Sequence, residues 1–236
     1  MGVLVSYQDG EQPLEGYLAA LATARDLPGI LVAPSWLNVV ESTCRRADQL
    51  AELGYAAFVA DLFGAGVRPR PPQLPQEVVA LFLRDRMRFR RRLFAGLTAF
   101  QRRPECNADR IAAIGYCLGG TGVLELARAG APLRGVASLH GMLNTPVPAR
   151  PETITAKVLV LHGDEDPLTP LDQLAAFRNE MRSAQANWEI DIYGGARHSF
   201  TGEGILDQGS PEARLHRQSE ARSWRKTVEF LAEVLK

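Results

Sequence analysis

Short continuous apolar runs recur along this chain, and helix-length amphipathic stretches separate them. The runs include Gly29-Ile30-Leu31-Val32-Ala33, Ala56-Ala57-Phe58-Val59-Ala60 and Ile111-Ala112-Ala113-Ile114. A strand that is apolar on both faces must be covered on both faces. Parallel strands joined by crossover helices meet that demand. Further strands are predicted at 135–139, 158–161 and 188–193, with helices over 39–53, 76–100, 121–128, 171–184 and 211–234. Before them, 3–7 and 14–20 read as strands joined through the turn dipeptide Asp9-Gly10, which suits an antiparallel hairpin. The expected class is α/β, with a mostly parallel central sheet, helices on both faces, and ligands bound beyond the carboxyl ends of the strands. The 236 residues are expected to form a single domain over 1–236, because no linker-like stretch divides them. Residues 63–75 hold Gly64, Gly66 and four prolines and are expected to form an irregular loop, either overhanging the site or merely leading into the next helix.

Composition narrows the function. Lys+Arg 27 against Asp+Glu 27 leaves no basic surplus for nucleic acid or an anionic membrane. The arginines at 84, 86, 88, 90, 91 and 92 therefore read as a solvated helix face. Cys44, Cys106 and Cys117 are scattered and odd in number, which argues against a disulfide framework or a cysteine metal site and suits a reducing cytoplasm. The amino terminus shows no secretory pattern, and no run approaches the ~18 apolar residues of a spanning helix. The four histidines lack zinc-site spacing, so no metal or other cofactor is expected and activity should survive a chelator. The expected state is a monomer or small homo-oligomer.

The chemistry concentrates in Gly115-Tyr116-Cys117-Leu118-Gly119-Gly120, directly after the apolar run ending at Ile114. A turn that lifts a nucleophile from a strand end into a helix start forces strained backbone at the reactive residue, so its neighbours two positions away must be small. Gly115 and Gly119 meet that condition, and the run from Gly120 to Arg128 supplies the helix. A cysteine nucleophile needs a base and a group to orient the base. Asp166 follows the strand 158–161, and His198 follows the strand ending at Tyr193. The order Cys117, Asp166, His198 is that of α/β-hydrolases. The helix dipole and the His198 imidazole both favour the thiolate, which would attack an ester carbonyl to give a thioacyl enzyme. The backbone N–H groups of Leu118 and Trp36 are the expected oxyanion donors. His198 would then activate water, with Asp166 fixing its tautomer.

Together with Gly163-Asp164-Glu165-Asp166-Pro167 and Ala196-Arg197-His198-Ser199-Phe200, the elbow resembles the dienelactone hydrolase family across essentially the whole chain. The resemblance implies the α/β-hydrolase fold and a cofactor-free, intracellular hydrolase of small-molecule esters or lactones. It also favours Asp166 over Asp164 and Glu165. The best-known members carry a glutamate after the first central strand that holds the resting cysteine, whereas this chain has Ser35 at the matching position. They carry an arginine shortly after the histidine to grip a substrate carboxylate, whereas this chain reads Ser199-Phe200-Thr201-Gly202. For their second such arginine, only Arg86 lies in the right region. A pocket rimmed by Trp36, Phe63, Tyr116 and Phe200 would favour neutral, aromatic esters, and His140, at a strand end, is a further candidate for its lining. His162 is expected to brace the acid loop, and His216 to sit in a polar helical stretch. The same thiolate can attack the phosphorus of an activated phosphotriester. An acyltransferase, or a redox-sensing or binding protein using Cys117, are the alternatives.

Overall fold

A computed structural model of the protein describes residues 2–69, 76–203 and 214–236. Within them one sheet of eight strands runs in the order β1-β2-β4-β3-β5-β6-β7-β8. β1 (Val3–Asp9) and β2 (Gln12–Ala19) form the expected hairpin, and β2 pairs antiparallel with β4 (Ala56–Val59). From β4 onward every pairing is parallel, through β3 (Leu27–Ala33), β5 (Cys106–Tyr116), β6 (Gly135–Leu139), β7 (Lys157–Gly163) and β8 (Trp188–Tyr193). β5 begins well before the apolar run that announced it. After the buried Cys106, residues 107–110 are partly or fully exposed, yet Cys106 and Asn107 pair with Leu27 and Pro28.

The central strands sort their side chains by parity, as the pleat requires. On β5, Ile111 and Ala113 enter one apolar layer, and Ala112, Ile114 and Tyr116 enter the other. Helices α2 (Gln76–Arg84), α3 (Arg86–Gln101), α4 (Leu118–Arg128) and α5 (Leu171–Ser183) contribute to the first layer. Helices α1 (Glu41–Glu52) and α6 (Arg217–Val234) close the second. Aromatic packing anchors the first layer, where Phe58 stacks on Phe100 at 5.5 Å and Phe82 on Phe89 at 4.8 Å. Each such ring, fully buried, contributes roughly 2–3 kcal/mol of hydrophobic stabilisation.

Two expectations need correction. The helix read over 76–100 is two helices, because Asp85 leaves helical geometry and its carboxylate accepts the Arg88 N–H at 2.9 Å, capping α3. The arginine run is a solvated face only at Arg84, Arg88 and Arg91, which are exposed. Arg86, Arg90 and Arg92 are buried, and each carries a buried carboxylate partner. Glu125, on α4, sits between Arg86, Arg90 and Arg128, and Arg128 also pairs with Glu180. The loop expected at 63–75 is irregular over its described part, and 70–75 lie outside the described residues, as do 211–213 of the helix expected over 211–234.

Candidate active site

The elbow has the backbone that its sequence demands. Cys117 sits between β5 and α4 with φ 53° and ψ −116°, a region that costs a non-glycine residue about 1–3 kcal/mol. Side chains on the flanking glycines would not fit. A Cβ on Gly115 would overlap the Gly119 carbonyl, and one on Gly119 would overlap the carbonyl oxygen of Ala33. The first turn of α4 is thereby pressed against the chain leaving β3, where Ser35 and Trp36 lie. Leu118 is the first residue of α4, so its N–H is among those a helix leaves without an internal partner.

Three loops at the carboxyl ends of β5, β7 and β8 meet over this turn. His198 Nε2 lies 3.1 Å from Cys117 Sγ, and His198 Nδ1 lies 2.8 Å from Asp166 Oδ2. The other oxygen of Asp166 accepts the Leu168 N–H at 2.9 Å, which fixes the carboxylate. Asp166 and His198 are buried, and Cys117 is half-buried. Asp164 and Glu165 are exposed, and Glu165 pairs with Arg197 at 3.4 Å. Burial opposes charge on His198, but the Cys117 sulfur and the Asp166 carboxylate outweigh it and raise its pKa to about 10.

The remaining expected residues divide. Trp36 and Phe63 belong to the apolar layer against which Cys117 packs, and Phe63 stacks on Phe82 at 6.3 Å. Tyr116 and Phe200 belong to the opposite layer, so the four aromatic rings do not form one rim. Parity decides this for Tyr116, which shares its face of β5 with Ala112 and Ile114. Its hydroxyl is buried without a partner among the described residues. Arg86 is committed to the Glu125 cluster and to the carbonyl oxygens of Phe82 and Asn144. Ser35 is buried; its hydroxyl accepts the Leu37 N–H at 3.3 Å and its carbonyl the Asn38 N–H at 3.0 Å, so it shapes its own turn. His140 is fully buried, with Nδ1 facing the Cys117 N–H at 3.1 Å. His162 is buried, its Nδ1 without a partner among the described residues, and burial lowers its pKa. His216 precedes α6 and bonds Ser219 Oγ at 2.7 Å.

Sequence reasoning missed the polar frame around the site. Asp61, fully buried, accepts from Asn38 Nδ2 at 2.7 Å, from the Phe63 and Gly64 N–H groups and from the Glu15 N–H, while Asn38 Oδ1 accepts the Leu62 N–H. These bonds tie the loop after β3 to the loop after β4. Only the position of Asp61, just past a strand end, hinted at it. Among the described residues, no group of three or more His, Cys, Asp or Glu side chains is arranged to hold a metal, and no helix is long and apolar enough to cross a membrane.

Residues 14–235 match the Dienelactone hydrolase family. The chain belongs to that family. Membership makes it a hydrolase of esters or lactones. A solved dienelactone hydrolase-like promiscuous phosphotriesterase from metagenomic libraries is similar, at 31% identity and a TM-score of 0.91, covering 100% of this chain and 99% of that one. A second solved structure, m3DLH, is similar at 34% identity and a TM-score of 0.92, with 100% and 99% coverage. A probable 2-oxo-3-(5-oxofuran-2-ylidene)propanoate lactonase from Bradyrhizobium sp is 28% identical over 81% of this chain and 80% of its own length.

Proposed function

We propose that this dienelactone hydrolase family member cleaves neutral carboxylic esters and lactones through Cys117, without a metal, and that His198 and Asp166 complete its machinery. The observation that carries the reading is the unbroken run of contacts from sulfur to imidazole to carboxylate at 3.1 and 2.8 Å. Because the sulfur already faces Nε2 and Ser35 is engaged elsewhere, the nucleophile stands ready before substrate arrives. The Cys117 thiolate adds to the carbonyl carbon, and the oxygen takes the charge near the backbone N–H groups of Leu118 and Trp36. Collapse expels the alcohol, which takes a proton from the His198 imidazolium. Neutral His198 then removes a proton from water, the hydroxide adds to the thioester, and the acid leaves as Cys117 is released as thiolate. Asp166 holds the ring with Nε2 toward the sulfur.

A second substrate class follows the same path. The similarity to a promiscuous phosphotriesterase supports attack of the thiolate on the phosphorus of an activated aryl phosphotriester, with aryloxide leaving and water releasing the diester. Stopped-flow hydrolysis of a chromogenic aryl ester, with intact-mass analysis of quenched enzyme and peptide mapping, tests the reading. An acyl adduct on Cys117 and its disappearance in Cys117→Ala are the expected results. Undiminished turnover in Cys117→Ala, for either substrate class, would overturn it.

A further inference from the structure

His140 occupies a position that the reaction above does not use. It follows β6 in left-handed backbone (φ 41°), its N–H completing the ladder to Leu161 O at 3.0 Å. Its ring is fully buried between Tyr116, Phe200 and His198, and it meets the His198 ring edge-on at 5.3 Å. Both nitrogens are engaged. Nδ1 accepts the Cys117 N–H at 3.1 Å, sharing it with Leu139 O at 3.0 Å. Nε2 lies 2.8 Å from Thr201 Oγ1, three residues beyond His198. An acceptor Nδ1 leaves the single proton of a neutral ring on Nε2, so Nε2–H donates to Thr201.

We propose that His140 is a positioning residue for the hydrolysis: one neutral imidazole that ties the elbow carrying Cys117 to the loop carrying His198, and so sets the sulfur-to-imidazole distance. The proposal rests on the assignment of Cys117 and His198 as nucleophile and base. The physical need is specific. The peptide before Cys117 enters a strained turn, and its N–H is held by two acceptors that both come from the end of β6. His198 leads into Ser199, also in left-handed backbone at φ 53°. Two strained loops keep their relative placement only if something rigid spans them, and an aromatic ring with a hydrogen bond at each end has no internal torsion to relax. A protonated His140 cannot do this. It has no acceptor for the Cys117 N–H, and burial together with the charge on His198 holds its pKa well below the ordinary histidine range.

The test uses two variants and one spectrum. His140→Asn carries an amide oxygen near the place of Nδ1 and keeps an acceptor for Cys117, whereas His140→Gln carries its terminal group near Nε2 and keeps only the Thr201 side. With an aryl ester, each variant breaks one end of the bridge, so His140→Asn is expected to lose about tenfold or more in kcat at unchanged KM, the signature of lost alignment rather than lost binding. His140→Gln is expected to lose kcat by a similar factor, again at unchanged KM. Nitrogen-15 NMR of the intact protein at pH 7 should show His140 neutral with the proton on Nε2. Wild-type kcat in either variant would overturn the proposal, as would a charged or Nδ1-protonated His140. The spectrum decides even if neither variant folds. If Cys117→Ala kept full activity, the nucleophile assignment would fail, whereas undiminished kcat in both His140 variants of an enzyme that Cys117→Ala abolishes would defeat the positioning role alone.

Discussion

Removing the sulfur should move the neighbouring histidine. In the wild type the His198 pKa is raised to about 10 although burial works against its charge, and the Cys117 sulfur at 3.1 Å is the largest favourable influence. At that separation two unit charges interact by about 5 kcal/mol at an effective dielectric of about 20, equivalent to roughly 4 pH units. Cys117 is only half-buried, so solvent screens part of this, and the expected fall in Cys117→Ala is about 2–4 pH units. The sign is unambiguous. A negative sulfur stabilises the imidazolium, its loss destabilises the imidazolium, and the burial that remains acts in the same direction, with only Asp166 at 2.8 Å opposing. The assay is an NMR titration of the His198 ring protons and nitrogens. Wild-type His198 should stay charged through neutral pH and titrate near 10, while in Cys117→Ala and Cys117→Ser it should titrate at about 8 or below. A midpoint within one pH unit of the wild type in both variants would refute the influence of the Cys117 sulfur on His198.

Other perturbations separate the site from its scaffold. Gly119→Ala should cost about 1–3 kcal/mol in urea unfolding, and lower ester turnover further, because its Cβ meets the backbone carbonyls of Ala33 and Pro34, which cannot swing aside. Wild-type stability and rate would show that the elbow tolerates separation from the loop after β3. Tyr116→Phe should leave kcat unchanged and Tm equal or slightly higher, since it removes a buried hydroxyl without a partner among the described residues on the face away from Cys117; a tenfold loss of kcat would return Tyr116 to the site. Burial of Asp9 works against its charge, but hydrogen bonds from Arg92 at 2.9 Å and Arg91 at 2.8 Å prevail and lower its pKa. That contribution is present above the ordinary Asp range and is lost as pH falls through the lowered value. Asp9→Asn should therefore cost roughly 3 kcal/mol at pH 7 and progressively less as pH falls below the ordinary Asp range, and a pH-independent difference in unfolding free energy would contradict the ion-pair account.

The sequence was most legible where local physics leaves one solution. Apolar runs bounded by turns could only be buried strands, and Gly115 and Gly119 around Cys117 could only serve a turn in which backbone presses on backbone. Cys117, Asp166 and His198 could each be read at a strand end because parallel strands all deliver their loops to one edge. Tertiary structure decided what local pattern leaves open. Whether Asp85 caps a new helix depends on a competition between its carboxylate and the helical backbone. Whether Arg86, Arg90 and Arg92 face water depends on carboxylates supplied by Asp9 and Glu125, distant in sequence. The parity of β5 sends Tyr116 away from the residue beside it. The bond from His140 to Cys117 and Thr201 joins three segments that only the closed sheet brings together. Periodicity and steric exclusion act between near neighbours and are written in the chain. Charge pairing and the spanning of loops act between segments remote in sequence, and they exist only once the chain has folded.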